Sequence, residues 1–166
     1  PHREPMAVPR DTVTFVCTGN TCRSPMAEAL LRAALAKRGE GLGHLRVVSC
    51  GLAAAPGEPA SPHSVKAMAR IGLDISAHRS RPLSPDDLAR SVAVFAMTGS
   101  HLDALSRRPD LLPEAVLLLR DVLPPAAPRA IPDPFGGDFR EYEDCRDSMV
   151  EAMPALLEFL RLRFSR

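Results

Sequence analysis

Residues 13–30 read VTFVCTGNTCRSPMAEAL, and the order of residue types in this stretch predicts a strand, a loop and a helix. The apolar run at 13–16 is rich in β-branched and aromatic residues, as is typical of a buried strand. Ser24 is followed by Pro25, which predicts a helix with Ser24 as its N-cap and Pro25 as its first residue. The stretch therefore predicts a strand whose loop opens onto a helix N-terminus.

The loop between the predicted strand and helix holds Cys17 and Arg23, with five residues between them. Free backbone N–H groups at a helix N-terminus bind anions, and an arginine guanidinium can grip two phosphate oxygens. In this positive field we expect the pKa of Cys17 to fall and its thiolate to act as a nucleophile, with Ser24 donating to the sulfur. The pattern predicts a phosphate loop (residues 17–24). Its predicted phosphate-binding residues are Thr18, Gly19, Asn20, Thr21, Cys22, Arg23 and Ser24.

A buried cysteine and a solvated arginine in an ordinary strand–helix turn would give the same spacing. The context of the motif argues against that alternative, because an apolar strand precedes it and a Ser-Pro helix start follows it. We therefore interpret Cys17 as a catalytic nucleophile and Arg23 as a catalytic residue that holds the phosphate.

A second candidate for catalysis lies in the proline-rich segment at 121–134, which is long and irregular enough to predict a functional loop. Asp133 stands between Pro132 and Pro134, so a stiff backbone holds its carboxyl group. The leaving group of a phosphate ester or phosphoramidate needs a proton, and Asp133 is the candidate general acid. The alternative is that Asp-Pro marks only a turn.

Apolar runs recur along the chain and alternate with helical patterns. Further strands are predicted at 45–49, 92–97 and 115–119, and the first strand–helix–strand unit implies parallel pairing. We predict an α/β fold, a single-domain doubly wound sandwich with a central four-stranded parallel sheet flanked by helices. The domain is predicted at 12–166, after an N-terminal tail or linker at 1–11.

Two smaller predictions concern residues outside the motif. His63 and His101 are interpreted as surface or cap residues. The last helical pattern, at 138–166, contains Pro154, which predicts a kink or a restart near Met153 because proline removes a helical hydrogen bond.

The overall composition argues against several classes of function. A formal net charge of +1, with arginines scattered among acids, gives no support for nucleic-acid binding. The four cysteines lack the spacing of a zinc site, and no apolar run approaches the roughly 20 residues that span a bilayer. We expect no metal, no cofactor and no membrane partner, and we expect a cytoplasmic monomer with reduced thiols.

The segment at 16–28, VCTGNTCRSPMAE, resembles the signature of the low-molecular-weight protein phosphatases. With Thr21 it is most similar to the bacterial protein-arginine phosphatase branch, and the resemblance runs from about Thr12 to the C-terminus. It implies a cysteine-dependent protein phosphatase that acts on phosphorylated proteins. In such an enzyme Cys17 forms a phosphocysteine, and Asp133 serves first as acid and then as base.

The same resemblance implies further roles. Asn20 and His78 match family positions that support the phosphate loop from behind. Ser49, at the carboxyl end of the second predicted strand, is expected at the same edge of the sheet as loop support. Cys22 is implied to form a reversible disulfide with Cys17 under oxidants, which would protect Cys17 from irreversible oxidation.

The substrate is the most open part of the interpretation. Tyrosine-directed members carry one or two tyrosines after Asp-Pro and a larger aliphatic residue at the position of Thr21. Here Phe135 follows Asp-Pro, as in the arginine-directed branch. We favour phosphoarginine, with Thr21 and Phe135 as specificity residues, and phosphotyrosine is the alternative.

Two other functions share this kind of loop. A thioredoxin-coupled arsenate reductase would need a further pair of closely spaced cysteines, whereas Cys50 and Cys145 are far apart in the sequence and are interpreted as buried thiols. A phosphate-binding module without catalysis would have no need of Asp133.

Overall fold

A computed structural model describes residues 8–110 and 113–166 of the chain, which form four strands and five α-helices. The strands are β1 (Thr12–Cys17), β2 (Arg46–Gly51), β3 (Ser91–Ala96) and β4 (Ala115–Leu118). The helices are α1 (Arg23–Arg38), α2 (Pro62–Ala69), α3 (Pro85–Arg90), α4 (Gly99–Ser106) and α5 (Phe139–Phe164), with a 3₁₀ turn at Leu119–Val122.

The four strands form one sheet in the order β2–β1–β3–β4, and every neighbouring pair is parallel. The predicted four-stranded parallel sheet of a doubly wound domain is therefore confirmed, with strand ends shifted by up to two residues. Because the strands are parallel, their carboxyl ends meet at one edge of the sheet. Cys17 ends β1 at this edge and pairs in register with Gly51, which ends β2.

Helices cover both faces of the sheet, and neighbouring residues of β1 point to opposite faces. Phe15 belongs to the larger apolar cluster, which includes residues of α1 and α5. Val16 belongs to the smaller cluster, together with Leu88 of α3 and Leu105 of α4. Each large apolar side chain buried in this way contributes roughly 1.5–3 kcal/mol. β1 is thus held from both faces, which gives the phosphate loop a rigid base.

Helix α1 begins two residues earlier than the Ser-Pro pair predicts. Its first residue is Arg23 and its N-cap position is Cys22, so the prediction of Ser24 as the N-cap is wrong. The hydroxyl of Ser24 has other partners, because it lies 2.9 Å from the sulfur of Cys17 and accepts a hydrogen bond from the amide of Asn20. These side-chain bonds replace the cap and draw the loop under the helix N-terminus.

Helix α5 continues through Pro154, and the predicted restart near Met153 is therefore wrong. Pro154 is exposed, and so is Val150, whose carbonyl loses its helical partner at a proline four residues later. Water can reach that carbonyl, which lowers the cost of the missing bond. On the opposite face of α5, Met149 and Met153 stay packed in the core.

The tail predicted at 1–11 lies partly outside the described residues, which begin at residue 8. Residues 8–11 have no regular secondary structure, but Asp11 is tied to the domain. Its N–H donates to the carbonyl of Arg90 at 3.1 Å, and its carbonyl accepts from the N–H of Arg46 at 2.8 Å. Over the described residues, no helix has both the length and the apolar character needed to cross a bilayer.

Candidate active site

Cys17 is the last residue of β1, and its side chain is 3% exposed. Its sulfur lies 2.9 Å from Oγ of Ser24, one residue into α1. A hydroxyl at this distance can donate to a thiolate and stabilise the charged form of the sulfur. The strand end and the helix start therefore bring a nucleophile and a hydrogen-bond donor together beneath the N-terminus of α1.

Asn20 organises the phosphate loop from behind. Its φ of 57° is the one positive value among non-glycine residues of the described chain, and asparagine adopts this left-handed conformation more readily than most residues. Its side-chain N–H group donates to Ser24 at 2.8 Å and Ser49 at 3.0 Å, and its side-chain oxygen accepts from the N–H of Arg81 at 3.0 Å. Its carbonyl accepts from Nε2 of His78 at 2.7 Å. Three segments, namely α1, β2 and the loop after α2, thus fix one loop residue.

Gly51 lets β2 approach the same loop closely. A Cβ atom at this position would lie 2.5 Å from the carbonyl oxygen of Thr18 and 3.1 Å from the backbone nitrogen of Asn20. Both atoms belong to the backbone and have little room to move, so glycine is required here.

Arg23 reaches from the phosphate loop to the segment that carries Asp133. Its side chain is 4% exposed, its Nη1 donates to the carbonyl of Ile131 at 3.1 Å, and its Nη2 lies 3.6 Å from Oδ2 of Asp133. Nε of Arg23 has no partner, and it is the one buried side-chain polar atom in this condition among the described residues. Because an unpaired buried donor is costly, Nε needs an external acceptor, and a phosphate oxygen would serve.

A cavity of about 230 Å³ lies above Cys17. It brings together the candidate catalytic residues and the two predicted specificity residues, Thr21 and Phe135; Phe135 is 78% exposed at its rim. Asn20 and Ser24 do not line it, since their side chains bond behind the loop. The residues that line the cavity are Cys17, Thr18, Gly19, Thr21, Cys22, Arg23, Asp133 and Phe135.

A larger groove, of about 630 Å³, lies elsewhere, between α1 and the segment after α2. It contains His78, which supports the phosphate loop, but it does not contain Cys17 or Asp133. Volume alone therefore does not mark the reactive site. The smaller cavity is the better candidate because it holds a thiol, a buried guanidinium with an unpaired donor and a carboxyl group.

The four cysteines, all within the described residues, are free thiols in different surroundings. Cys22 is buried beside the cavity, with its sulfur 3.4 Å from Oγ of Ser61 and 3.8 Å from the hydroxyl of Tyr142. Burial, together with the hydrogen bond from Cys22, raises the pKa of Tyr142 to about 12. Cys50 and Cys145 lie in the apolar clusters, where burial raises the pKa of each thiol to about 12. Those two thiols stay protonated at neutral pH.

His101 is buried rather than exposed, so the prediction that placed it at the surface is wrong, although it does lie in the first turn of α4, beside the N-cap residue Thr98. Its Nε2 lies 2.9 Å from Oγ1 of Thr18, and its Nδ1 lies 3.2 Å from Oγ1 of Thr98. Burial and the nearby Arg23 lower the pKa of His101, while Asp133 opposes the shift. Its position in the first turn after β3, at the carboxyl edge of the sheet, is the sequence signal that could have revealed it.

A sequence model of the family described as "Low molecular weight phosphotyrosine protein phosphatase" matches residues 12–164. The chain belongs to this family. The match spans both the phosphate loop and the segment that carries Asp133, and family membership confirms the resemblance carried by the loop sequence. The low-molecular-weight phosphatases are enzymes, and this chain has the fold and the loop of one.

The similar proteins include both protein-arginine and protein-tyrosine phosphatases. A protein-arginine phosphatase of Bacillus subtilis (strain 168) is 36% identical over 149 residues, which is 90% of this chain and 96% of that protein. A low molecular weight protein-tyrosine phosphatase of Streptomyces coelicolor is 37% identical over 155 residues, which is 90% of this chain and 93% of that protein. Overall identity therefore does not separate the two specificities.

A solved structure adds a chemical observation on a relative. It is the YwlE arginine phosphatase, as a cysteine-to-serine mutant whose active-site serine is phosphorylated. It matches this chain with a TM-score of 0.78 and 32% identity, over 92% of this chain and 97% of the other.

Within the described residues of the present chain, no cluster of three or more His, Cys, Asp or Glu side chains is suited to hold a metal ion.

Proposed function

We propose that this protein is a cysteine-dependent protein-arginine phosphatase that works through a phosphocysteine intermediate. The observation that carries the proposal is one cavity lined by Cys17, Arg23 and Asp133 together with Thr21 and Phe135. The first three supply the reaction, and the last two set the substrate.

In the first step the thiolate of Cys17 attacks phosphorus in line, forming the S–P bond as the P–N bond to the guanidinium breaks. Arg23 and the N–H groups of the phosphate loop hold the non-bridging oxygens, where charge develops. Asp133, half exposed at the cavity wall, donates its proton to the leaving nitrogen. The phosphorylated serine in the mutant relative supports covalent transfer to the residue at this position.

In the second step water attacks the phosphocysteine. Asp133, now a carboxylate, takes a proton from the water, and the S–P bond breaks to release inorganic phosphate and the Cys17 thiolate. The enzyme and Asp133 return to their starting protonation states. The residues of the cavity supply every group these two steps use, so the mechanism needs neither a metal nor a cofactor.

Specificity for phosphoarginine is supported by the two residues beside the reactive groups. The Thr21 hydroxyl gives the cavity wall a polar group that suits a guanidinium, and once Asp133 has given up its proton its carboxylate can pair with the departing guanidinium. Phe135 is the one aromatic residue in the lining, so an arginine side chain can lie along it.

Phosphotyrosine remains the second candidate, because the exposed ring of Phe135 could also stack on a tyrosine ring. Arsenate reduction through a disulfide relay has less support. Cys50 and Cys145 lie in different apolar clusters and stay protonated, so neither thiol is suited to a relay. A mere phosphate-binding module would not account for Asp133 within reach of Arg23.

We further propose that the enzyme acts on phosphorylated proteins in the cytoplasm, as a monomer. Four free thiols among the described residues suit a reducing compartment. A nucleic-acid partner has no support from a net charge of +1.

The test is a comparison of kcat/KM for a phosphoarginine peptide and a phosphotyrosine peptide of otherwise equal sequence. We expect the wild-type protein to favour phosphoarginine, and we expect Thr21→Ile to lower that preference by roughly tenfold or more, because an aliphatic wall cannot hydrogen-bond a guanidinium. Ser106→Ala, in an exposed residue outside the cavity, is the control and should leave the ratio unchanged. A wild-type preference for phosphotyrosine would overturn the assignment.

A further inference from the structure

We propose that His101 is a positioning residue for the phosphate loop, which holds the side chain of Thr18 beside the reactive sulfur. The first contact that carries this inference is the 2.9 Å separation of Nε2 of His101 and Oγ1 of Thr18. Thr18 directly follows Cys17 in the chain and lines the same cavity. His101 itself does not line the cavity, so it acts through Thr18.

The position of His101 in the fold complements the other loop supports. Asn20 is held by Ser49 of β2 and by His78, which follows α2. His101 lies in α4, which follows β3, and β3 borders β1 on the side opposite to β2. Thr18 and Asn20 of the phosphate loop are therefore held from opposite sides of β1. Without His101, the described structure gives the Thr18 side chain no other hydrogen-bond partner.

The surroundings of His101 suit a fixed neutral imidazole. The ring is 5% exposed and lies between two threonine hydroxyls, those of Thr18 and Thr98. A neutral ring has one donor nitrogen and one acceptor nitrogen, so it can bond to both hydroxyls at once. The charged groups that act on it are Arg23 on α1, which favours the neutral form, and Asp133 on the later loop, which opposes it.

Because His101 responds to nearby charges, a phosphate bound in the cavity should change the pKa of His101. The anion neutralises the field of Arg23 and adds negative charge beyond Thr18, and both changes favour the imidazolium form. Phosphate binding is then expected to raise the pKa of His101. His44, which precedes β2 near the opposite edge of the sheet, offers a histidine outside the site as a control position for substitution.

A double-mutant cycle with inorganic phosphate tests this inference, which rests on the proposed function only in the identity of the cavity. The variants are His101→Leu, Thr18→Val and the pair, with His44→Leu as control, and calorimetry gives the Kd for phosphate. We expect each single change to weaken binding by about tenfold, because each removes the same hydrogen bond, and the pair to weaken it no further. If His101→Leu does not fold, His101→Asn, which is too short to span both hydroxyls, takes its place in the cycle.

Additive losses, near a hundredfold for the pair, would overturn the inference, and so would unchanged binding in either single variant. The second readout is the pKa of His101 from NMR titration of the wild-type protein, with and without saturating phosphate. A rise in the pKa of His101 on phosphate binding is the expected result, whereas an unchanged pKa of His101 would contradict the proposal. Turnover of p-nitrophenyl phosphate is measured beside them. Its absence in the wild type would count against the proposed function alone, since the cycle depends only on phosphate binding.

Discussion

Nη2 of Arg23 lies 3.6 Å from Oδ2 of Asp133, although one residue begins the first helix and the other belongs to a late proline-rich loop. The same guanidinium donates to the carbonyl of Ile131 at 3.1 Å. One buried side chain therefore sets the distance between the phosphate loop and the candidate acid. It also keeps its Nε free for a substrate oxygen.

Replacement of Arg23 by lysine should lower kcat/KM by about a hundredfold or more. Lysine keeps the charge but cannot bond to two phosphate oxygens and to Ile131 together. Steady-state kinetics on p-nitrophenyl phosphate is the measurement. Arg32→Lys, at an exposed position of the same helix, is the control and should stay within about twofold of wild type. Activity of Arg23→Lys near the wild-type level would contradict the assigned role.

Replacement of Ser24 by alanine should lower kcat by roughly tenfold, because the hydroxyl lies 2.9 Å from the sulfur of Cys17 and can stabilise its thiolate. The direct measurement is the rate at which iodoacetamide alkylates Cys17 at fixed neutral pH, which should fall in parallel. Ser106→Ala, in an exposed serine that bonds only to a helical carbonyl, should change neither quantity. An unchanged alkylation rate in Ser24→Ala would show that the hydroxyl does not stabilise the thiolate of Cys17.

Replacement of Cys22 by serine should make oxidative inactivation irreversible. If Cys22 forms a disulfide with Cys17, wild-type protein treated with peroxide will regain its activity with a thiol reductant, and Cys22→Ser will not. Activity recovered after reduction is the measurement. Cys145→Ser is the control, because burial raises the pKa of Cys145 to about 12 and keeps that thiol unreactive. Equal recovery in wild type and Cys22→Ser would argue against the disulfide.

Replacement of Asp87 by asparagine should reduce stability at neutral pH and lessen its dependence on acid. Burial opposes ionisation, but hydrogen bonds from Arg81 and Ser84 outweigh it and lower the pKa of Asp87. A lowered folded-state pKa stabilises the protein above the ordinary carboxyl pKa, and the benefit is lost as pH falls through the folded value. We expect a loss of roughly 2 kcal/mol at about pH 7 that shrinks toward about pH 3, measured by urea unfolding.

The matched control for that experiment is Asp86→Asn in the same helix. Asp86 pairs with Arg90 at the surface, and its side chain is 64% exposed, so its loss should cost less than about 1 kcal/mol. Equal losses for the two variants would show that the buried hydrogen bonds of Asp87 contribute little.

Local patterns predicted the fold because they agree with its long-range structure. The apolar β-branched runs form the four parallel strands. In the structure Ser61 and Ser84, each before a proline, are N-caps that accept hydrogen bonds from backbone N–H groups. The Ser24–Pro25 pair has the same local form but behaves differently. The hydroxyl of Ser24 does not cap the helix, because it bonds instead to the sulfur of Cys17 at the end of β1.

The roles of His101 and Gly51 were not predicted, because they depend on contacts between segments that are distant in the sequence. His101 has an ordinary sequence context, and only the packing of α4 beside the phosphate loop gives it a partner in Thr18. Gly51 is needed because a Cβ atom at this position would lie only 2.5 Å from the carbonyl oxygen of Thr18 in the phosphate loop. No periodicity or motif encodes such distances. The roles of Cys17 and Asp133 were predicted from the motif and stay predictions until chemistry tests them.

The phosphocysteine mechanism is tested most directly by locating the phosphoryl group during turnover. The wild-type protein is mixed with a phosphoarginine peptide, the reaction is quenched within the first turnover with a denaturant at alkaline pH, because acid would hydrolyse the P–N bond, and mass spectrometry maps the phosphate. A parallel reaction uses the matched phosphotyrosine peptide. We predict that phosphate appears on Cys17 and that this phosphocysteine forms faster from phosphoarginine than from phosphotyrosine. Phosphate released from the phosphoarginine peptide with none on Cys17, or labelling from phosphotyrosine alone, would contradict it.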